Sequence, residues 1–356
     1  MAANDTSIEL TARCLCKAHN FSTHVPISKL PLLTSACHCD SCRHLTGALY
    51  TCDAHWPKPR AKVDVTKLSV FRFSSNYDVL FCGTCSTPMF FAKSQKPDEE
   101  LGVFSGTIDS VDADVLKITH HIFVGDTKDG GATMWMRRLN NNESEAYHSK
   151  TKDPVSIQCK CKGVNFVWNR GDYSATKKED LPEFIDPTTL KPFAGFCACN
   201  SCRLFAGTDV WTYALSELKH ISFPSPSSTP FPESTLGLKA LVDAKDPSIG
   251  TLAYYASSPK VQRYFCSRCS ASVFYVVDDR PGLIDVAVGL LRAADGARAE
   301  RILSWDYGYM SHMEDAADGW RHSFLVRVAK ECEDWRVDRG YPESWRRTSR
   351  EAKSKQ

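Results

Sequence analysis

Fourteen of the 16 cysteines in this chain obey one spacing rule, and the rule occurs twice. They stand as Cys14-x-Cys16, Cys37-x-Cys39-x-x-Cys42 and Cys82-x-x-Cys85, then again as Cys159-x-Cys161, Cys197-x-Cys199-x-x-Cys202 and Cys266-x-x-Cys269. The text around them repeats as well. Cys-His-Cys-Asp-Ser-Cys-Arg-His-Leu-Thr-Gly from Cys37 to Gly47 answers to Cys-Ala-Cys-Asn-Ser-Cys-Arg-Leu-Phe-Ala-Gly from Cys197 to Gly207. An internal repeat of this kind means two copies of one structural unit. Equivalent cysteines lie 145 residues apart at Cys14 and Cys159, 160 at Cys37 and Cys197, and 184 at Cys82 and Cys266, so the second copy carries two insertions. They fall within Gly171 to Pro192 and within Phe223 to Pro247, and the second, with FPSPSSTPFPES, reads as a surface loop rather than core.

A chain of 356 residues suits two domains at roughly 150 residues each. The start, MAANDTSIEL, has neither a basic nor an apolar leader segment, and no apolar run reaches the roughly 18 residues of a membrane span. Secretion and membrane spanning are therefore disfavoured, and a cytoplasmic location is expected. In that reducing setting clustered cysteines point to metal rather than to disulfides. Lys plus Arg number 44 against 42 for Asp plus Glu, a balance that argues against a nucleic-acid partner.

Between the cysteine motifs run short apolar or alternating segments: Leu68 to Phe73, Val79 to Phe81, Met89 to Ala92, Leu101 to Phe104, Ser272 to Val277 and Ile284 to Val288. Bounded by Gly, Pro, Asn, Asp and Ser, they read as strands. Helix is expected just after each central motif and around Glu331 to Asp338. The fold class is therefore mainly β, two tandem zinc-stapled antiparallel domains over residues 8–145 and 154–340, joined in the polar stretch Asn140 to Pro154, with a basic, solvated tail over 346–356.

Seven thiols per copy do not divide into four-ligand sites. A structural zinc takes four protein ligands, whereas a catalytic one keeps three and leaves a position for water or substrate, and four plus three is seven. Cys14, Cys16, Cys82 and Cys85 are assigned to one closed site, and Cys159, Cys161, Cys266 and Cys269 to its counterpart. Cys37, Cys39 and Cys42, and likewise Cys197, Cys199 and Cys202, then form three-thiolate cups, either open to an incoming ligand or closed by a further protein group. A soft thiol is the natural fourth ligand of such a cup. Arg43 and Arg203 follow directly and could hold a ligand carboxylate. His38, between two ligands, points away from the ion, and of His120 and His121 only one can face a site on a strand. Trp135, Trp211, Tyr254 and Tyr255 read as packing, and Cys52 and Cys332 as ordinary buried residues.

The pattern resembles the glutathione-dependent formaldehyde-activating (centromere-protein-V/GFA) family. The matching residues are Cys-x-Cys, Cys-His-Cys-x-x-Cys-Arg-x-x-x-Gly, and Phe-Cys-x-x-Cys at Phe81 to Cys85 and Phe265 to Cys269, followed by Ser105-Gly106-Thr107-Ile108-Asp109 and His120-His121. The resemblance implies a β-tent fold, up to two Zn²⁺ per domain (structural on the outer motifs, catalytic on the central one), glutathione as thiol substrate, and carbon–sulfur lyase chemistry of the S-hydroxymethylglutathione-synthase kind. In that scheme Arg43, with Arg203 in the second copy, steadies a carboxylate of the tripeptide, and His121 moves the proton. The alternative is a non-catalytic zinc-binding interaction module of the centromere-protein-V type. The second copy departs from the pattern: Ala198 replaces His38, and Leu290-Leu291-Arg292 replaces Thr107-Ile108-Asp109. The first copy is thus expected to carry the chemistry.

Overall fold

The computed structural model describes residues 6–354 apart from 95, 97, 98, 110, 112, 138, 140–153, 228 and 318. The expected junction, Asn140 to Pro154, lies outside them except for Pro154. In the first half the alternating and apolar runs become β1 (Ser7–Arg13), β2 (Asn20–Pro26), β3 (Leu32–Cys37), β4 (Asp53–Pro59), β5 (Ser69–Arg72), β6 (Tyr77–Phe81), β7 (Pro88–Lys93), β8 (Glu100–Phe104) and β9 (Leu116–Ile122), with α1 (Asp40–Thr46) directly after the central cysteine motif. The second half gives β10 (Val155–Gln158), β11 (Asn165–Trp168), β12 (Phe193–Cys197), α2 (Asn200–Ala206), β13 (Trp211–Glu217), β14 (Ile221–Ser222), α3 (Thr235–Asp243), β15 (Leu252–Ser258), β16 (Val261–Cys266), β17 (Ser272–Val277), β18 (Leu283–Ala287) and β19 (Ser304–Ser311). Two helices end the chain, α4 (Trp320–Asp338) and α5 (Trp345–Ser354).

The halves share a strand order. One sheet runs β4-β8-β7-β6-β5 and the other β13-β18-β17-β16-β15, all antiparallel. In each half one parallel pair brings the strand that ends in the central motif beside the last strand: β3 with β9, and β12 with β19. The pair β12–β19 continues its sheet to seven strands, while β3–β9 stands as a separate ladder.

The two halves interlock by reciprocal contacts. Gly106 N–H donates to Gly207 O, and Gly289 N–H donates to Gly47 O. A Cβ on Gly106 or Gly289 would collide with backbone of the other half, so only glycine permits this approach. A residue contacting its counterpart's neighbour in both directions is the arrangement of a two-fold interface, here within one chain. One core cluster accordingly spans both halves, including Tyr50, Phe104 and Trp135 with Trp211, Phe274 and Trp305. Buried arginines of the second half reach across the same boundary. Arg321, fully buried at the start of α4, donates from Nε to Asp209 Oδ1 at 2.7 Å and from Nη2 to Ser105 O and Ile108 O. Arg298 N–H donates to Asp129 Oδ2 at 2.7 Å, with its guanidinium on Gly131 O.

Two sequence expectations change. The insertion Phe223 to Pro247 contains α3, and its Phe223 and Phe231 are buried against Phe166, so the segment is core as well as surface. The prolines marked the turns but not the aromatic anchors between them. Residues 345–354 form a helix rather than a solvated tail: Trp345 packs edge-on against Phe193, and Arg350 Nη2 pairs with the buried Asp306 at 2.8 Å. The anchoring tryptophan sits one residue before the basic run, outside the stretch that reads as a tail.

Candidate metal centres

Each outer set is built where two hairpin turns meet. Cys14 and Cys16 follow β1, and Cys82 and Cys85 lie between β6 and β7. The four sulfurs come together, as do those of Cys159, Cys161, Cys266 and Cys269, each within 4.8 Å of the others. Four thiolates around zinc at about 2.3 Å place neighbouring sulfurs about 3.8 Å apart. The measured separations of 3.5 Å for Cys14–Cys16, 3.6 Å for Cys16–Cys82, 3.6 Å for Cys159–Cys161 and 3.5 Å for Cys161–Cys266 fit such an ion. Backbone N–H groups of His19 and Val164 point at Cys14 and Cys159 Sγ at 3.2 Å, donors suited to thiolate charge.

The central triads also assemble. Cys37 ends β3, Cys39 caps α1 and Cys42 lies in its first turn; Cys197, Cys199 and Cys202 repeat this on β12 and α2. Cys39 Sγ accepts from Cys42 N–H at 3.3 Å, and Cys199 Sγ from Cys202 N–H at 3.2 Å. Hydrogen bonds from the Cys37 and Cys42 thiols push Cys39 down to about 2, and those of Cys197 and Cys202 do the same to Cys199. The other two thiols of each cup are pushed up by their neighbours, so without a metal each cup favours a single thiolate, at Cys39 or Cys199.

The surroundings of the cups differ. Cys39 and Cys199 are both half-buried and Cys42 and Cys202 both buried, so the exposure differs at the strand end, where Cys37 is half-buried and Cys197 buried. Beside the second triad, buried Arg263 on β16 donates from Nη1 to Cys202 Sγ at 3.4 Å. Burial opposes the charge on Arg263, but the Cys202 sulfur outweighs it and holds the guanidinium above its ordinary pKa. The aligned residue of the first half is Val79. Arg263 was missed in the sequence, although the repeat alignment sets it against that valine.

His38 is buried and its Nε2 lies 2.8 Å from His121 Nδ1, while His121 Nε2 lies 3.0 Å from Met136 O. The carbonyl fixes the tautomers: His121 donates to Met136 O and accepts from His38. Burial, then His121 and Arg43, push His38 down to about 3. Both nitrogens of His121 are therefore engaged, which corrects the expectation that it moves a substrate proton; it holds β9 to the loop after β3. His120 is exposed and bonded to Thr119.

The two arginines part company. Arg203 donates from Nη1 to Gly106 O at 2.6 Å and Ile108 O at 3.3 Å, from Nε to Asn200 Oδ1, and faces Asp109 at 3.6 Å. It fastens the halves and is not free to hold a ligand, contrary to expectation. Arg43 donates from Nε to His38 O and pairs with Asp40 through Nη2, but its buried Nη1 meets no hydrogen-bond acceptor. Cys52 and Cys332 are buried apart from every cluster, and Trp135 and Trp211 are fully packed. Tyr254 donates to Asp243, and Tyr255 is half-buried.

A mainly β scaffold with four cysteine clusters suited to metal is the class of protein that fold and sites define. Residues 9–126 match the family model described as Glutathione-dependent formaldehyde-activating enzyme, which supports that family for the first half and takes in its seven clustered cysteines. No curated protein and no solved structure matches the chain. Among the described residues no helix is long and apolar enough to cross a membrane.

Proposed function

We propose that the chain is two tandem zinc-stapled units of the β-tent type, acting as a carbon–sulfur lyase or thiol-adduct synthase on glutathione, with the chemistry at Cys37, Cys39 and Cys42. The outer quartets serve as fold staples. The observation that carries the reading is the partly exposed first triad, followed in the chain by Arg43, whose buried Nη1 has no acceptor. Zinc bound by the three thiolates would lower the pKa of an incoming thiol and raise its thiolate fraction near neutral pH.

The chain's own part is positional. Cys37, Cys39 and Cys42 fix where the thiol arrives, and Arg43 orients it through a carboxylate. The thiolate sulfur then bonds to the aldehyde carbon, the carbonyl π pair moves to oxygen, and that oxygen takes a proton from water. Cleavage runs the same path in reverse. Such addition proceeds in water unaided, so a modest acceleration is expected. Sixteen unpaired thiols suit a reducing compartment, and the cytoplasm is the proposed location.

The test is the rate of adduct formation from glutathione and formaldehyde. Wild type should exceed the uncatalysed background and Cys39→Ser should fall to it. A wild-type rate equal to background, in both directions, would replace this reading with the zinc-binding interaction module.

A further inference from the structure

The interlocked halves are nearly symmetric, and one position breaks the symmetry of charge. Asp109 N–H donates to Thr11 O, and Arg292 N–H donates to Ser156 O at the corresponding place in the other half. The two residues therefore occupy one structural position with opposite charge. On the first side Arg203 meets Asp109 and every part of its guanidinium is used. On the second side Arg43, the counterpart of Arg203, shares a cavity with Arg292, and no carboxylate takes the place of Asp109.

That cavity, about 200 Å³, lies between Asp40, Arg43, His44 and Lys128 of the first half and residues 291–297 of the second. Arg43 is 4% exposed with Nη1 unpartnered. His44 Nδ1 accepts from Arg292 Nη2 at 3.4 Å, which puts the His44 proton on Nε2, and that atom too is buried without a partner. Two carboxylates also line the cavity: Asp40 is paired with Arg43 Nη2, and Asp126 accepts the Asp40 N–H at 3.2 Å and makes no ion pair with either arginine. Buried donors without acceptors are costly, and an anion in this cavity would lie near both the buried Arg43 and the exposed Arg292.

We propose that this cavity binds a small carboxylate-bearing anion between Arg43 and Arg292, so that the second half completes a ligand site on the first. The carboxylate could belong to the tripeptide held at the first triad or to a free dicarboxylate. The site stands whether or not that triad is catalytic.

Isothermal titration of the full zinc-loaded chain with succinate and with S-methylglutathione, whose sulfur is blocked, tests this. Arg292→Asp recreates the charge found at Asp109, so it should fold, and zinc content and thermal stability should match or exceed wild type. Its affinity for the anion should fall at least about tenfold. Arg292→Gln should give a smaller loss in the same direction. Binding of succinate with this loss identifies a free-anion site; binding of S-methylglutathione alone with this loss identifies a tripeptide carboxylate. No saturable binding of either probe to wild type, or equal binding by Arg292→Asp, overturns the proposal.

Discussion

The two cysteine triads sit on one local scaffold, strand end, cap and short helix, and yet their neighbourhoods have gone separate ways. At the first, His38 and His121 lock the loop, Cys37 and Cys39 stay partly exposed, and Arg43 keeps an unused donor beside a cavity. At the second, Ala198 and Met310 stand where the histidines were, Arg263 lies against Cys202, and Arg203 is spent on holding the halves together. The outer quartets keep their four cysteines and their grouping in both halves, although the hydroxyl beside them moves from Thr87 at Cys85 to Thr251 at Cys266. The difference teaches that both kinds of cluster keep their sulfurs while their neighbours change, and that the larger changes, a histidine pair lost and an arginine gained, fall at the inner cups.

The comparison breaks most visibly at the staples. Cys14→Ser or Cys159→Ser should unfold the half concerned, since metal binding in small zinc domains couples to folding by apparent energies on the order of 10 kcal/mol. Cys39→Ser should leave the fold intact. Calorimetry with zinc analysis checks this, and equal losses in all three would make the first triad a staple as well. Next in size, Arg298→Ala and Arg321→Ala each strand a buried carboxylate, Asp129 or Asp209, and should cost about 3–5 kcal/mol. A loss below about 1 kcal/mol by denaturant titration would show that neither the Arg298–Asp129 pair nor the Arg321 bonds to Ser105 O and Ile108 O clamp the halves.

How much of this was legible beforehand depended on whether the signal was local. Cysteine spacing is a local signal because two thiols at one turn can reach one ion, and the fourteen sulfurs lie together in four groups that could each hold a metal. The strands Met89 to Ala92 and Ser272 to Val277 were readable from apolar runs bounded by turns. What escaped depends on distant partners. Arg203 looks like Arg43 in the motif, and only the fold shows that Asp109 engages one while Arg292 faces the other. His121 likewise reads as a candidate proton carrier until Met136 O occupies its second nitrogen.

Two smaller effects sharpen the contrast. Arg263→Val gives the second triad the neighbour of the first and removes a hydrogen bond to charged sulfur, worth about 1.5–3 kcal/mol. Zinc at Cys197, Cys199 and Cys202 should then yield faster to a chelator; unchanged release would show that Arg263 does not support the site. Ending the chain before Trp345 removes α5, which has no counterpart among the described residues of the first half, and should lower stability by about 1 kcal/mol without changing zinc content. Loss of a zinc ion in that truncation would tie the helix to a metal site instead.

The most direct test of the divergence is zinc X-ray absorption with the selenol analogue of glutathione, read in Cys199→Ser and in Cys39→Ser. A zinc–selenium distance in Cys199→Ser and none in Cys39→Ser is the predicted result if, as proposed, the first cup is the one that takes the thiol. A zinc–selenium signal that survives in Cys39→Ser, or one absent from both variants, would contradict the account.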